Sequence, residues 1–117
     1  MFDENELVRL KSIHKKLTDI TTIVSRHGSI TIALQDIEGQ PAILMLFVAV
    51  AEQFNKLKKQ ESKLLDLFQE SDLRGIADTR TFIAHDYDGV NLSLIEIAIR
   101  NRVPALLETI EEFLAKC

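Results

Sequence analysis

Three side chains suited to phosphodiester chemistry lie close together in the sequence: Arg80, His85 and Tyr87. A guanidinium presents a planar fork of N–H donors that matches a phosphate group, and an imidazole can transfer protons near neutral pH. The tyrosine is the only one in the chain, and its hydroxyl can be hydrogen-bonded or modified. These are the groups that a metal-free site for phosphodiester cleavage requires.

The spacing of the three residues constrains the helix that carries them. In an unbroken α-helix, residues five apart differ by about 140° around the axis, so Arg80 and His85 would diverge. Tyr87, seven residues after the arginine, returns to nearly the same face. Convergence of all three therefore requires a helix end between Ala84 and Tyr87, or a second subunit that completes the site. Gly89 is consistent with such an end.

An arginine followed five residues later by a histidine occurs twice in the chain, at Arg80/His85 and at Arg9/His14. The Arg9/His14 copy lies inside a strongly periodic helical pattern and has Lys16 where a tyrosine would be needed. We therefore interpret that copy as solvated surface. The longer form, with the tyrosine and the turn after it, occurs once.

The pattern from Arg80 to Tyr87, R-x4-H-x-Y, resembles that of HepT, the toxin member of the HEPN nuclease group. The similarity covers nearly the whole chain. The flanking segments that carry it are Gly39-Gln40-Pro41-Ala42 before an apolar helix with Glu52, His85-Asp86-Tyr87-Asp88-Gly89-Val90-Asn91, and Val103-Pro104-Ala105-Leu106. One departure is Thr81, where family members often carry asparagine, because threonine is polar but offers no amide.

This resemblance implies a metal-independent endoribonuclease toxin of a type VII-like toxin–antitoxin pair, with Arg80 and His85 as its catalytic residues and with no cofactor. It also implies an RNA substrate and a homodimer in which two copies of the Arg80–His85 helix end face each other across a two-fold axis. The implied partner is an MntA-like nucleotidyltransferase antitoxin that transfers AMP to Tyr87. The alternative is a non-catalytic helical partner, or substrate-binding subunit, of a minimal nucleotidyltransferase.

Composition is that of one globular domain. We expect a single HEPN-like domain over residues 1–117, since 117 residues with 46% hydrophobic and 27% charged content can bury one core. The four glycines and two prolines leave few turns and favour long helices. A net charge of −4 argues against a broad nucleic-acid-binding surface. Any RNA site must then be a local basic patch, for which the candidates are Arg74, Arg80, Arg100 and Arg102.

Other interpretations of the same residues are open at this point. On spacing alone, Arg80 would be a surface ion-pair partner of Asp78 or Asp86. His85 would be a helix-end residue, and Tyr87 a half-buried core aromatic. The lysine cluster formed by Lys56, Lys58, Lys59 and Lys63 is interpreted as a solvated face.

A metal site is a second chemistry suggested by one nitrogen and two carboxylates at His85, Asp86 and Asp88. Neighbours this close rarely converge on one ion without a dedicated loop, and no further His or Cys cluster is present, so no metal is predicted. A Ser/His/Asp hydrolase is disfavoured because the chain has no G-x-S-x-G turn. It also has no glycine-rich phosphate loop.

A cytoplasmic location is expected. The single cysteine, Cys117, cannot form an internal disulfide, and the N-terminus lacks the basic and apolar runs of a signal peptide. The longest apolar run, Ala42 to Ala51, is shorter than the roughly 20 residues that span a bilayer. It should be a buried core helix, and no membrane partner is predicted.

Hydrophobic periodicity predicts an all-α, antiparallel up-and-down bundle with four main helices and short extra helices. Ser71 and Asp72 are the expected caps of the helix that carries the arginine, and Asn91 is the expected cap of the one after it. The predicted helices are Asp3 to about Arg26, Ile30 to Ile37, Pro41 to about Lys58, Glu61 to about Phe68, Leu73 to Ala84, Asn91 to about Arg100, and a last helix after a break or kink at Pro104.

Overall fold

The structure, a computed structural model, describes residues 2–117, and this part of the chain contains no strand. Helix α3 packs against α1 and α4, and α6 packs against α1. The prediction of an all-α bundle with four main helices, α1, α3, α4 and α6, is therefore confirmed. The elements are α1 (Glu4–His27), α2 (Ile30–Gln35), α3 (Gly39–Lys59), a 3-10 helix (Lys63–Leu67), α4 (Glu70–His85), α5 (Leu92–Ile97), a π-helical segment (Ala98–Arg102) and α6 (Val103–Ala115).

Helix α1 is capped at both ends by neighbouring residues of the chain. The Asp3 carboxylate accepts a hydrogen bond from the Glu6 N–H at 2.7 Å, and Glu6 accepts one from the Asp3 N–H at 3.0 Å. This reciprocal pairing satisfies two of the N–H groups that a helix start leaves free. Gly28 ends the helix with φ 86°, a left-handed conformation that costs glycine little. The predicted helix is confirmed to within one residue at each end.

His27 connects the end of α1 to the start of α3. Its Nδ1–H donates to the Ile23 carbonyl at 2.7 Å, and its Nε2 lies 3.3 Å from Asp36 Oδ2. The pKa of His27 is raised, chiefly by the hydrogen bond to the Ile23 carbonyl and then by the Asp36 carboxylate. The pKa of Asp36 is lowered, chiefly by hydrogen bonds from the backbone N–H groups of Gly39 and Glu38. The contacts at this junction thus favour the protonated form of the imidazole.

Because of His27, we expect the free energy of unfolding to fall as the pH rises. Because folding raises the pKa of His27 above 6.5, its contribution is complete below that value and is lost as the pH rises through the folded-state pKa. The pKa of Asp36 shifts in the opposite direction, downward from 3.8, so its contribution to stability is lost only in acid, as the pH falls through the folded-state pKa. Thermal unfolding of the wild type and of His27→Gln should therefore differ most near about pH 5.5 and converge toward about pH 8. A difference that grows with pH would contradict the assignment.

Gly39 allows α3 to begin directly against α2. A Cβ at this position would collide with the Ala33 carbonyl oxygen, and Gln40 Nε2 donates to a backbone carbonyl of α2 at 2.9 Å. The sequence predicted Pro41 as the first helical residue, which is wrong, because the helix starts at Gly39. The earlier start is stabilised by Asp36, whose carboxylate accepts the first backbone N–H groups.

Helix α3 is the centre of the core, as predicted for the apolar run Ala42 to Ala51. Its Phe47 is fully buried, although Met45 on the same helix keeps 55% of its surface exposed. No helix within residues 2–117 combines the length and the apolar character needed to cross a bilayer. The fully buried side chains of the four main helices are Leu10, Ile13, Leu17, Ile20, Ile43, Leu44, Phe47, Val50, Leu57, Leu106 and Ile110, with Ile76 and Ile83 almost as completely covered.

The start of α4 differs from the prediction. The helix begins at Glu70 with Gln69 as its N-cap, and no side-chain hydrogen bond caps it. Ser71 and Asp72 lie inside the first turn, so both predicted caps are wrong. The physical reason for Asp72 is that its carboxylate is bound elsewhere, by Arg102. The short helix predicted before α4 is present as a 3-10 turn.

The chain from Asn91 onward stays helical, but it is not regular. Asn91 caps α5 as predicted, accepting from a backbone N–H of the first turn at 3.0 Å. The predicted end near Arg100 is wrong, because the segment Ala98–Arg102 is a π-helix in which the Val103 N–H donates to the Ala98 carbonyl. Pro104 has no N–H, and its ring would collide with the carbonyl four residues earlier, so the preceding turn widens. The predicted break is a widened turn.

The π-helical segment is fastened to α4 by one ion pair. Arg102 Nη1 lies 2.9 Å from Asp72 Oδ1, and the two side chains are only 34% and 17% exposed. The arginine crosses directly over Gly75, where a Cβ would overlap the guanidinium. Because a partly buried charge is costly without its partner, this pair holds the π-helical segment against α4.

Candidate functional site

Helix α4 is attached to the bundle along a narrow stripe. Ile76, Thr79 and Ile83 are its buried residues, and steps of three and four place them on one face. Arg80 and His85 lie outside this stripe, and both are exposed. The packing that anchors the helix therefore leaves these two side chains available to solvent and to ligands.

Helix α4 ends within the interval that was predicted from the spacing, between Ala84 and Tyr87. Its last residue is His85, and the Asp86 N–H donates to the Phe82 carbonyl at 3.4 Å. The Asp86 carboxylate then accepts a hydrogen bond from the Gly89 N–H at 3.0 Å, and a Cβ on Gly89 would overlap that carboxylate. Tyr87 sits in this closed turn with 40% of its surface exposed. Its hydroxyl is thus carried by a defined turn rather than by the core.

The helix end does not by itself bring the arginine and the histidine together. Because α4 is helical through His85, the directions of Arg80 and His85 differ by about 140° around the axis. Among residues 2–117, no hydrogen bond or ion pair joins Arg80, His85 and Tyr87 to one another. Of the two alternatives for convergence, the helix end is present, but it leaves the arginine and the histidine of one chain apart.

The four arginines predicted as a basic patch are not equivalent. Arg74 is paired with Glu70 at 2.8 Å, and Arg100 is paired with Glu96 at 2.8 Å. Arg102 is bound to Asp72. In the part of the chain that the structure describes, Arg80 is the only one of the four with no carboxylate within 4.0 Å, including those of Asp78 and Asp86. The ion pair considered for Arg80 is therefore absent from these residues, and its guanidinium is free for an external anion.

The second arginine–histidine copy has structural contacts. Arg9 donates to Gln60 Oε1 at 3.2 Å and to Gln53 Oε1 at 3.3 Å. His14 Nε2 lies 2.9 Å from Glu111 Oε2. Both side chains are partly buried rather than fully solvated, so the prediction of a plain solvated surface is wrong in this respect. They connect α1 to α3 and to α6.

The described residues show no geometry that matches the metal site considered at His85, Asp86 and Asp88. Within residues 2–117, no three or more His, Cys, Asp or Glu side chains are grouped so that they could hold one ion. The Asp86 carboxylate is engaged by the turn backbone.

Apolar side chains are exposed on both sides of the helix end. Phe82 precedes it and Tyr87 follows it, with 42% and 40% of their surfaces exposed. Leu94 and Ile97 on α5 are 37% and 53% exposed. Single exposed apolar side chains are ordinary on a protein surface, and only a contiguous patch marks a surface that contacts another molecule.

A groove between α3 and α4 was missed by the sequence analysis. It encloses about 440 Å³, within the range of small-ligand sites. No sequence signal marks it, because it depends on how the two helices pack. Lys58 was interpreted only as part of a solvated lysine cluster. The lining residues are Ala51, Phe54, Asn55, Lys58, Leu65, Glu70, Leu73, Arg74, Ile76 and Ala77.

An all-α bundle of this form is a HEPN-like fold. Comparison with protein families gives a match over residues 11–113 to the family described as Ribonuclease HepT-like. The chain therefore belongs to the HepT-like ribonuclease family, which supports a HEPN-type ribonuclease toxin in general terms. Comparisons with curated proteins and with solved structures gave no match.

Proposed function

We propose that this protein is a metal-independent endoribonuclease toxin that cleaves RNA with Arg80 and His85. The observation that carries the proposal is the exposed arginine without a carboxylate partner, five residues before the histidine that ends α4, in a chain of the HepT-like family. An arginine and a histidine suit phosphodiester cleavage by an internal nucleophile, because the ribose supplies the attacking 2′-hydroxyl, the imidazole can transfer protons and the guanidinium can stabilise negative charge.

In the proposed reaction, the 2′-hydroxyl loses its proton, to an imidazole acting as general base or to water, as its oxygen attacks the adjacent phosphorus. The bond from phosphorus to the 5′-oxygen of the next nucleotide breaks, and that oxygen takes up a proton, from an imidazolium acting as general acid or from water. The products are a 2′,3′-cyclic phosphate and a 5′-hydroxyl. Arg80 would neutralise the charge that gathers on the phosphoryl oxygens, a contribution of about 2–4 kcal/mol to barrier lowering.

The proposed active form is a homodimer. Because one copy of α4 directs Arg80 and His85 about 140° apart, a two-fold axis near the helix end would bring the arginine of one subunit toward the histidine of the other. The exposed side chain of Phe82, three residues before the end of α4, would then be covered, which supports this choice of interface.

The proposed regulator is an MntA-like nucleotidyltransferase antitoxin in the cytoplasm. It would transfer AMP from ATP to Tyr87: the tyrosine oxygen attacks the α-phosphorus and pyrophosphate leaves. An exposed tyrosine on a closed turn supports this role. The attached phosphate would lie within about two helical turns of Arg80 along the chain, where its charge would compete for the arginine's donors and repel RNA.

The test is incubation of the purified wild-type protein with single-stranded RNA in the presence of EDTA. We expect cleavage that is unaffected by the chelator and leaves 2′,3′-cyclic phosphate ends, because no step uses a metal. Cleavage that stops with EDTA and returns with added Mg²⁺ would contradict the metal-independent mechanism. Intact RNA under all conditions, with a folded protein that binds a nucleotidyltransferase, would favour the non-catalytic partner subunit.

A further inference from the structure

The surface of α4 between Arg80 and His85 is formed by short side chains. Ala77, Thr81 and Ala84 recur at steps of four and three, so they form one stripe. All three are exposed. On a helical projection this stripe lies between the directions of the arginine and the histidine, about 60° from one and about 80° from the other. It is a low strip of surface with a cation on one side and an imidazole on the other.

This strip runs directly into the groove between α3 and α4. Ala77 belongs to both, and Leu73 and Glu70 continue the same helical face into the groove. From Ala77 to His85 the distance along the axis is about 12 Å. A polymer that crosses the strip at His85 can therefore reach the groove within a short stretch of its length.

The chemistry of the groove matches a nucleotide unit. Phe54, Leu65 and Leu73 give it an apolar wall, and Phe54 is held in place by an edge-to-face contact with Phe68 at 5.2 Å. The exposed Asn55 provides an amide that can donate to and accept from a base edge.

The charges at the groove suit a phosphate. Lys58 lies at its rim, and no carboxylate within residues 2–117 pairs with its amine. Arg74 lines the same groove but is paired with Glu70. The unpaired lysine is thus the cation that we expect to contact the RNA backbone.

We propose that the α3–α4 groove is a subsite that holds a nucleotide of the RNA strand next to the scissile bond, with the base against the apolar wall and a phosphate at Lys58. This inference rests on the proposed ribonuclease function. It identifies the substrate as a single strand, because a base paired in a duplex could not enter the groove.

The experiment uses the full-length protein and a set of RNAs. The cleaved bond is first mapped on a single-stranded oligonucleotide. The set then begins with the dinucleotide that spans this bond and grows by one nucleotide at a time in both directions. For the wild type, kcat/KM should rise in a step when the added nucleotide reaches the groove. Loss of one stacked base typically reduces binding by about tenfold, so a step of this size is expected.

Two variants should remove the step. Asn55→Leu replaces the amide that would meet the base edge by an apolar side chain, at an exposed position on α3 that lies outside the strip, and Lys58→Ala removes the cation. Their matched controls are Thr22→Leu, which adds bulk in the shallow groove between α1 and α3, and Lys59→Ala, which removes an exposed lysine one residue away. Both test variants should lose about tenfold in kcat/KM on the long RNAs and nothing on RNAs too short to reach the groove, while the controls behave as the wild type does.

Three outcomes would overturn the subsite. In the first, the test variants are indistinguishable from their controls. In the second, the test variants lose the same factor in kcat/KM on RNAs of every length. The third is unchanged RNA kinetics combined with weaker binding of the nucleotidyltransferase, which would assign the groove to a protein partner. In each of these the wild type still cleaves RNA, so the proposed function survives. A wild type that cleaves no RNA at all would instead overturn the proposed function, and the subsite with it.

Discussion

Substitution of Arg80 or His85 by alanine is expected to reduce RNA cleavage by about 10²–10³-fold while the protein stays folded. Loss of the guanidinium removes the charge that stabilises the phosphoryl oxygens, and loss of the imidazole removes the proton transfer. Both side chains are exposed and outside the buried stripe of α4, so neither substitution opens a cavity. The measurement is the initial rate of cleavage of a labelled single-stranded RNA, together with circular dichroism and thermal unfolding of each variant.

Two controls separate this effect from a general loss of positive charge or of histidine. Arg26→Ala removes an exposed arginine from the last turn of α1, and His14→Ala removes the histidine of the second arginine–histidine pair. Neither should lower the cleavage rate more than a few-fold. Arg80→Lys should keep part of the activity, because an ammonium supplies charge without the planar fork. If the Arg80 and His85 variants cleave as fast as the wild type does, the site assignment is wrong and the non-catalytic partner subunit is favoured.

Modification of Tyr87 is expected to have an effect of comparable size on activity. With the purified nucleotidyltransferase and ATP, the wild type should gain mass in units of AMP, and its cleavage rate should fall in proportion to the modified fraction. The reason is electrostatic, since a phosphodiester within about two helical turns of Arg80 along the chain would both compete for the guanidinium and repel the substrate. Intact-protein and peptide mass spectrometry locate the modification, and the RNA assay measures its consequence.

The matched variant for this prediction is Tyr87→Phe, which keeps the ring and removes the acceptor hydroxyl. It should gain no mass, and the ratio of its cleavage rates with and without the nucleotidyltransferase and ATP should be close to one. Because the ratio is taken within one variant, a change in its basal rate does not affect the comparison. AMP found on another residue, or inhibition that persists in Tyr87→Phe, would remove Tyr87 from the regulatory role.

Much of the fold follows from local sequence. Asn91 is a predicted cap that the structure confirms, and the first helix starts within one residue of the predicted Asp3, because the side chains of both residues accept hydrogen bonds from N–H groups of their own helices. The boundaries that were wrong depend on distant contacts. Asp72 was expected to cap α4, but it is bound by Arg102 from the other end of the chain, and the π-helical segment that carries Arg102 responds both to Pro104 and to packing on α4.

The candidate site was predictable in its residue types but not in its surroundings. The spacing from Arg80 to Tyr87 predicted either a helix end between Ala84 and Tyr87 or a second subunit, and α4 does end at His85. The sequence did not reveal that Arg74, Arg100 and Arg102 are each paired with a carboxylate. It also gave no sign of the groove beside Lys58, since a groove is a product of the distance between α3 and α4 and not of either helix alone.

The central claim is that the arginine of one subunit and the histidine of another form each active site. Mixing two inactive variants tests it most directly. Arg80→Ala and His85→Ala proteins are combined under conditions that allow subunits to exchange, and cleavage is measured against each variant alone. A shared site predicts recovery to about one quarter of the wild-type rate, because half of the dimers are mixed and each of these contains one intact site of two. A mixture no more active than its components, despite demonstrated subunit exchange, would contradict the claim.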